Sequence, residues 1–292
     1  MSLSRRDFVR TSAASVLGLA MGRRGLIPAS ARMHVGYAAI TWGNNDLAAI
    51  AEIAALGYEG IQVRANTWQH FWRQPPVFVN LLATRHIQFV VLSSGAIDLD
   101  PSVEGKMLAD HVAHAQFVKA AGGQFLQVTD MAPAGRAPAN EDFARLSSLL
   151  DTLGEKCTAL GVQLLYHPHM GSLGERPADA DRILAATNPA RVQLLLDVAH
   201  YTQGGGDPAD AIRRYRGRMP VVHLKDLQST TEGYRFVELG QGSVNLDAVF
   251  AALTETGFSG WGIVELDDPT PGRTPAQSAE LNKKYLASRG LA

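Results

Sequence analysis

A chain of 292 residues, 46% hydrophobic and 19% charged, has the make-up of a folded domain with a large core, which excludes a disordered or fibrous protein. Its 27 basic and 28 acidic side chains leave a formal net charge of −1, so no chain-wide field draws nucleic acid or an anionic membrane surface. Cys157 is the single cysteine, which excludes an intramolecular disulfide and a thiolate cluster; any metal has to be held by His, Asp and Glu.

The charge is unevenly placed. Residues 1–31 hold five arginines and one acid, Asp7, so the remainder of the chain is net acidic. This segment reads "SRRDFVRTSAASVLGLAMG" and then "RRGLIPASA", with adjacent Arg5 and Arg6, Phe8 two residues on, an apolar stretch over Ala13 to Met21, and a small-x-small site at Ala29-Ser30-Ala31. It resembles a twin-arginine export signal, which implies a folded protein carried to the periplasm or another extracytoplasmic space. The competing reading is an arginine-rich tail. The apolar stretch is far shorter than the about 20 residues that a membrane span takes, so no span is expected after signal removal. The expected organisation is a signal peptide over residues 1–31 and one domain over residues 32–292.

Within that domain, apolar β-branched runs recur: "HVGYAAITW" from 34, "GIQVR" from 60, "IQFVVLS" from 87, "QFLQVT" from 124, "VQLLYH" from 162, "VQLLLD" from 192, "VVHLKD" from 221 and "WGIVEL" from 261. They are near-continuous rather than alternating, as strands buried on both faces are. Between them lie stretches of helical period, such as "DLAAIAEIAALG", "MLADHVAHAQFVKAAG", "FARLSSLLDTLGEKCTALG" and "LDAVFAALTETG", each closed by a glycine. Eight strand–helix units predict an α/β fold, a single-domain (β/α)8 TIM barrel. An open doubly wound sheet is the alternative. It calls for a glycine-rich phosphate turn after the first strand, where this chain has "TWGNND".

Such a barrel works at the C-terminal ends of its strands. The fifth run ends in "LLYHPHMG" with His167 and His169, the sixth in "LLLDVAH" with Asp197 and His200, the seventh in "VVHLKD" with His223, Lys225 and Asp226, and the eighth in "IVELDD" with Glu265. Carboxylates and imidazoles without cysteine suit a divalent ion such as Mn²⁺, Co²⁺, Mg²⁺ or Zn²⁺. Each residue also has a plainer reading. Asp197 caps the next helix, His223 is a satisfied core histidine, Glu265 pairs with a lysine, and Pro168 stops a strand with both flanking rings in solvent. Against these stands the cost of carboxylates at buried strand ends, which pairing or a metal relieves. His111 and His114 lie in a helical stretch and read as a solvated face.

At these residues the chain resembles the xylose-isomerase-like barrels, the sugar phosphate isomerases/epimerases, from about His34 to Leu286. The likeness rests on "GYEGIQVR", the D-x-x-H of "LLLDVAH", the H-x-K-D of "VVHLKD", "ELGQGSVNLDAVFAAL" and "GWGIVELD". It implies that Asp197, His223 and Glu265 bind one divalent metal. The family's usual fourth ligand is a Glu before a proline, where this chain has His167-Pro168, so His167 or Glu175 of the following loop takes that place. Gln62, where many relatives carry Glu, is a second departure. The inosose dehydratases look most similar, through "YHPHMG" and "ITWGNNDL", and the resemblance implies His167, His169 and Glu265 as catalytic residues and His200, Lys225, Trp42 and Asn45 as substrate contacts.

A divalent ion beside imidazoles suits proton removal next to a carbonyl. The first expectation is a lyase or dehydratase acting on a keto-polyol or keto-glycoside; the second is a sugar isomerase or epimerase, and the third a non-catalytic sugar-binding barrel. A barrel endonuclease needs further ligands, and "QVRAN" and "LSSGA" at the second and third strand ends lack them. Asp267 and Asp268 after the eighth strand imply a neutral, unphosphorylated substrate, with "GQGS" at 240–243 either a phosphate cradle or a structural turn. Assembly into a homo-oligomer is left open.

Overall fold

The structure is a computed structural model that describes residues 33–231 and 233–291, so the expected export signal over residues 1–31 lies outside the described residues. Eight parallel strands close a barrel: β1 (His34–Ala38), β2 (Gly60–Arg64), β3 (Gln88–Ile97), β4 (Phe125–Asp130), β5 (Gln163–Tyr166), β6 (Val192–Asp197), β7 (Val221–Leu224) and, after a hairpin of β8 (Asp226–Thr230) and β9 (Gly233–Val237), β10 (Trp261–Val264). Neighbouring strands follow chain order, and β10 pairs with both β7 and β1 to complete the ring. The predicted (β/α)8 barrel is the fold observed.

The helices are α1 (Asp46–Ala55), α2 (Ala65–Phe71), α3 (Pro75–Ala83), α4 (Glu104–Ala120), α5 (Asn140–Leu160), α6 (Pro177–Ala185), α7 (Val198–Gln203), α8 (Pro208–Tyr215), α9 (Leu246–Glu255) and α10 (Pro275–Ser288). Their stops are those expected. Gly161, at φ 74°, closes α5 in the left-handed conformation, and its amide donates back to Thr158 O at 2.9 Å. β7 and β10 are buried along their whole length, which is why they read as unbroken apolar runs. One apolar cluster is built from strand residues alone, among them Val91, Leu165, Leu195, Val221 and Ile263, and fills the barrel. A larger one joins the outer strand faces to helix residues such as Ile50, Leu146, Leu150 and Val249.

Three features differ from the sequence reading or settle it. The β8–β9 hairpin, unforeseen, is inserted directly after the "VVHL" strand. His111 and His114 are not solvated: they are 4% and 7% exposed, on the face of α4 that packs on β3. Ser94 meets the Nδ1 side of both rings, its hydroxyl 2.6 Å from His111 Nδ1 and 2.7 Å from His114 Nδ1, while His111 Nε2 stays buried without a partner. The "GQGS" segment is a structural turn, because Asp226 accepts from the amides of Gly240, Gly242 and Val244 at 3.0, 2.9 and 3.1 Å. The amides of Gln241 and Ser243 go to carbonyls of Glu238 and Leu227, so this turn has no amide left for a phosphate.

Candidate active site

Barrel register carries four side chains to one rim. Asp197 ends β6 opposite His223 of β7, which in turn lies beside Ile263 of β10, two residues before Glu265; His167 follows β5 and donates its amide to Val128 O of β4 at 2.9 Å. All four are buried, and each offers a ligand atom such that the four atoms lie within 4.8 Å of one another. His223 Nδ1 is 3.5 Å from both Asp197 Oδ2 and Glu265 Oε2.

The plainer readings of the carboxylates are also realised, on their other oxygens. Asp197 Oδ1 caps α7, accepting from the amides of Ala199 and His200 at 2.8 and 3.0 Å. Glu265 Oε1 accepts from Lys225 Nζ at 3.0 Å, and Lys225 also reaches Asp267 at 2.7 Å. What is left over faces inward. Asp197 Oδ2, His223 Nδ1 and His167 Nδ1 have no hydrogen-bond partner although buried, an expensive condition that a cation among them relieves. The donor set, two carboxylate oxygens and two imidazole nitrogens, fits a divalent ion.

Gln62 makes that set coherent. Glu265 Oε2 can only accept, so the Gln62 amide nitrogen, 3.2 Å away, donates to it and the amide oxygen faces His223 Nε2 at 2.9 Å. His223 must then carry its proton on Nε2, which leaves the Nδ1 lone pair directed at the cluster. Burial, with His223 and His200 nearby, holds the His167 pKa well below its ordinary value, so this ring is neutral and ready to ligate. Burial works against charge on Lys225, yet Glu265, Asp197 and Asp267 outweigh it and raise its pKa.

His167 and His169 both face the mouth, their ring centroids 5.5 Å apart, so neither is a solvated strand end. His169 Nδ1 is 2.8 Å from Met170 O, a carbonyl that only accepts, so Nε2 holds the lone pair of a base. Its ring centroid is 3.8 Å from that of His200, whose pKa burial pushes down to about 3. Phe236 of β9 covers the other side, 5.4 Å from His200 and 3.9 Å beneath Lys225 Nζ.

Three expected residues are not brought here. Trp42 donates its indole N–H to Glu52 at 2.7 Å and packs edge-on to Tyr37, while Asn45 is exposed and caps α1 through the amide of Ala48. Glu175 accepts from the Gly171 amide and stands outside the four-residue cluster, which leaves His167 as the fourth donor. In their place the inner pocket of about 110 Å³ is lined by Gln62, Arg64 and Gln127, beside His167, His169 and Glu265. Gln127 Oε1 is buried and unpartnered, poised to accept from a ligand hydroxyl. Gln62 stood out in the sequence only as a departure from the family pattern, and the signal for Gln127 was a lone amide inside an otherwise apolar run, which a search of strand ends for charge passes over.

The sequence matches the family described as xylose isomerase-like TIM barrel over residues 50–288. Among curated proteins, an inosose dehydratase of Lacticaseibacillus casei is 26% identical over 292 aligned residues, covering 87% of this chain and 96% of that protein. An inosose dehydratase of Geobacillus kaustophilus (strain HTA426) is 28% identical, covering 86% and 93%. The crystal structure of the IolI protein with a bound zinc atom superposes with a TM-score of 0.74 at 20% identity, covering 88% of this chain and 97% of that one. Since the family match runs from α1 through α10 and takes in every barrel strand but the first, the chain belongs to the xylose isomerase-like TIM barrel family.

Proposed function

We propose that this chain is a divalent-metal-dependent lyase that removes a β-substituent from a keto-polyol or keto-glycoside, acting outside the cytoplasm. The inosose dehydratases among its relatives support a dehydratase-like reaction on a polyol or sugar. His167, Asp197, His223 and Glu265 hold the ion, and Gln62 fixes the tautomer of His223. A divalent ion held there would supply polarisation of the substrate carbonyl, which would acidify the neighbouring C–H. His169 Nε2 then takes that proton and returns it to the departing oxygen, while Gln127 and Arg64 hold substrate hydroxyls and Phe236 screens the site from water.

The observation that carries elimination is the one-sided placement of proton-transfer groups. His169 and His200 sit together, and the position that a second carboxylate would occupy on β5 is His167, turned to the cluster. Epimerisation, the second reading, needs opposed groups on both faces of the carbon. The test is to incubate Mn²⁺-loaded protein with inosose, 3-keto-glucosides and ketohexoses in heavy water and follow products by NMR. Elimination yields an unsaturated ketone with loss of the β-substituent. Recovery of inverted, deuterated substrate alone assigns an epimerase instead, and no exchange or product with any of them assigns a binding protein.

A further inference from the structure

We propose that the cleft outside His169 seats the leaving group and takes an apolar aromatic alcohol. This rests on the elimination chemistry above and narrows its substrate to an aryl keto-glycoside. His169 and Thr129 are common walls of two spaces. Inward they bound the pocket that holds His167 and Glu265; outward they bound a cleft of about 320 Å³ between the end of β4 and the loop that follows β5. A sugar ring docked at the four-residue cluster therefore sends its departing bond across the His169 imidazole and into that cleft.

The walls of the cleft choose the occupant. Its flanks are Met131, 49% exposed, and Met170, with Ala132 and Gly171 between them. Thioethers are polarisable and adaptable, and they favour the edge of an aromatic ring. Tyr234 of β9 brings its hydroxyl against Met170 Sδ and lies 5.6 Å from Phe236, which extends the apolar rim toward Lys225. A second sugar would ask for free donors and acceptors, and the acceptors of Asp130 and Ser172 in these walls are already used. Asp130 accepts from the Tyr166 hydroxyl at 2.8 Å and the Leu173 amide at 2.6 Å, and the Ser172 hydroxyl accepts from the His169 amide at 3.3 Å.

The step balances without a co-reactant. The base takes the proton next to the carbonyl, the C–H electron pair becomes the new C=C bond, and the C–O bond to the aryl group breaks with its pair on oxygen. That oxygen then receives the proton from His169, giving an unsaturated keto sugar and a phenol. A phenol is also the better leaving group, since it departs with less help than an alkoxide.

Phenyl β-glucoside, methyl β-glucoside and cellobiose have no ketone, so their binding to the full chain with Mn²⁺ can be followed by titration calorimetry without turnover. Phenyl glucoside should bind about tenfold tighter than methyl glucoside, the effect of seating one ring in a half-open cleft. Met131→Asp and Met170→Asp, checked by circular dichroism for folding, should each bring the ratio to within about twofold. Equal affinities, tighter binding of cellobiose, no saturation by either glucoside, or a phenyl preference that survives in both variants would overturn the proposal. The preference is independent of the reaction: its presence with no keto sugar eliminated overturns the lyase reading alone, and elimination without it overturns the cleft alone.

Discussion

The smallest unit of explanation in this site is a single amide. Because Gln62 holds the His223 proton on Nε2, Gln62→Leu should weaken metal binding about 10–100-fold, the usual cost of losing a residue that orients a ligating histidine; competition with a fluorescent chelator measures it. His167→Ala should weaken metal binding too, while Glu175→Ala should leave the affinity near wild type, since Glu175 is occupied with Gly171. His169→Ala is expected to keep the metal and lose turnover by about 10²-fold or more, as removal of a general acid–base does. Two imidazoles among the four donors should favour Zn²⁺ or Co²⁺ over Mg²⁺ in a competition titration, and His167→Glu should shift the measured preference toward Mn²⁺ and Mg²⁺.

At the scale of elements, the α4–β3 contact sets an acid limit on stability. Burial lowers the pKa of His111 and pushes that of His114 to about 4. The unfolded chain takes up these protons near an ordinary pKa of about 6.5. Their contribution is therefore intact above that pH and is lost as pH falls from there through about 4. Urea midpoints at pH 7.5, 6 and 5 should decline, and less steeply in His111→Gln/His114→Gln, whose amides can still bond Ser94 but do not titrate. This element was misread from sequence. A histidine at helical spacing looks solvated until Ser94, seventeen residues upstream of His111, is known to face it. Strand order, helix stops and the Asp197, His223 and Glu265 rim were legible because each is a local pattern of burial or of strand-end charge. The β8–β9 hairpin was not, since "DLQST" and "GYRFV" are exposed over most of their length and lack the apolar run that marks a barrel strand.

On the scale of the whole molecule, the closed barrel has apolar clusters both inside and outside its strands, so it should not depend on the ion for its fold. Chelation is expected to abolish activity and leave the far-ultraviolet dichroism and a cooperative melt in place. Among the described residues no helix is long and apolar enough to cross a membrane. Export through Arg5 and Arg6 is a proposal with its own check: replacing both by lysine should hold the precursor in the cytoplasm, and fractionation showing unaltered export would remove it.

The loop from His167 to Glu175 is bound almost residue by residue. Val128 O takes the His167 amide, Asp130 takes that of Leu173, and Ser172 and Glu175 tie the turn between them. The facing segment, residues 131–139, is secured by the Met131 amide to Ile97 O, the Arg136 guanidinium to both oxygens of Asp142 and the Ala139 amide to Asp142, which leaves residues 132–135 as its looser part. One jaw of the outer cleft is thus fixed and the other is held like a strap, so hydrogen exchange should be slow at Leu173 and faster at Ala132 and Ala134. The order in which products depart follows from this. The phenol lies against the yielding jaw and leaves first, while the sugar remains at the rigid rim. Steady-state inhibition should then be competitive for the unsaturated sugar and noncompetitive for the phenol.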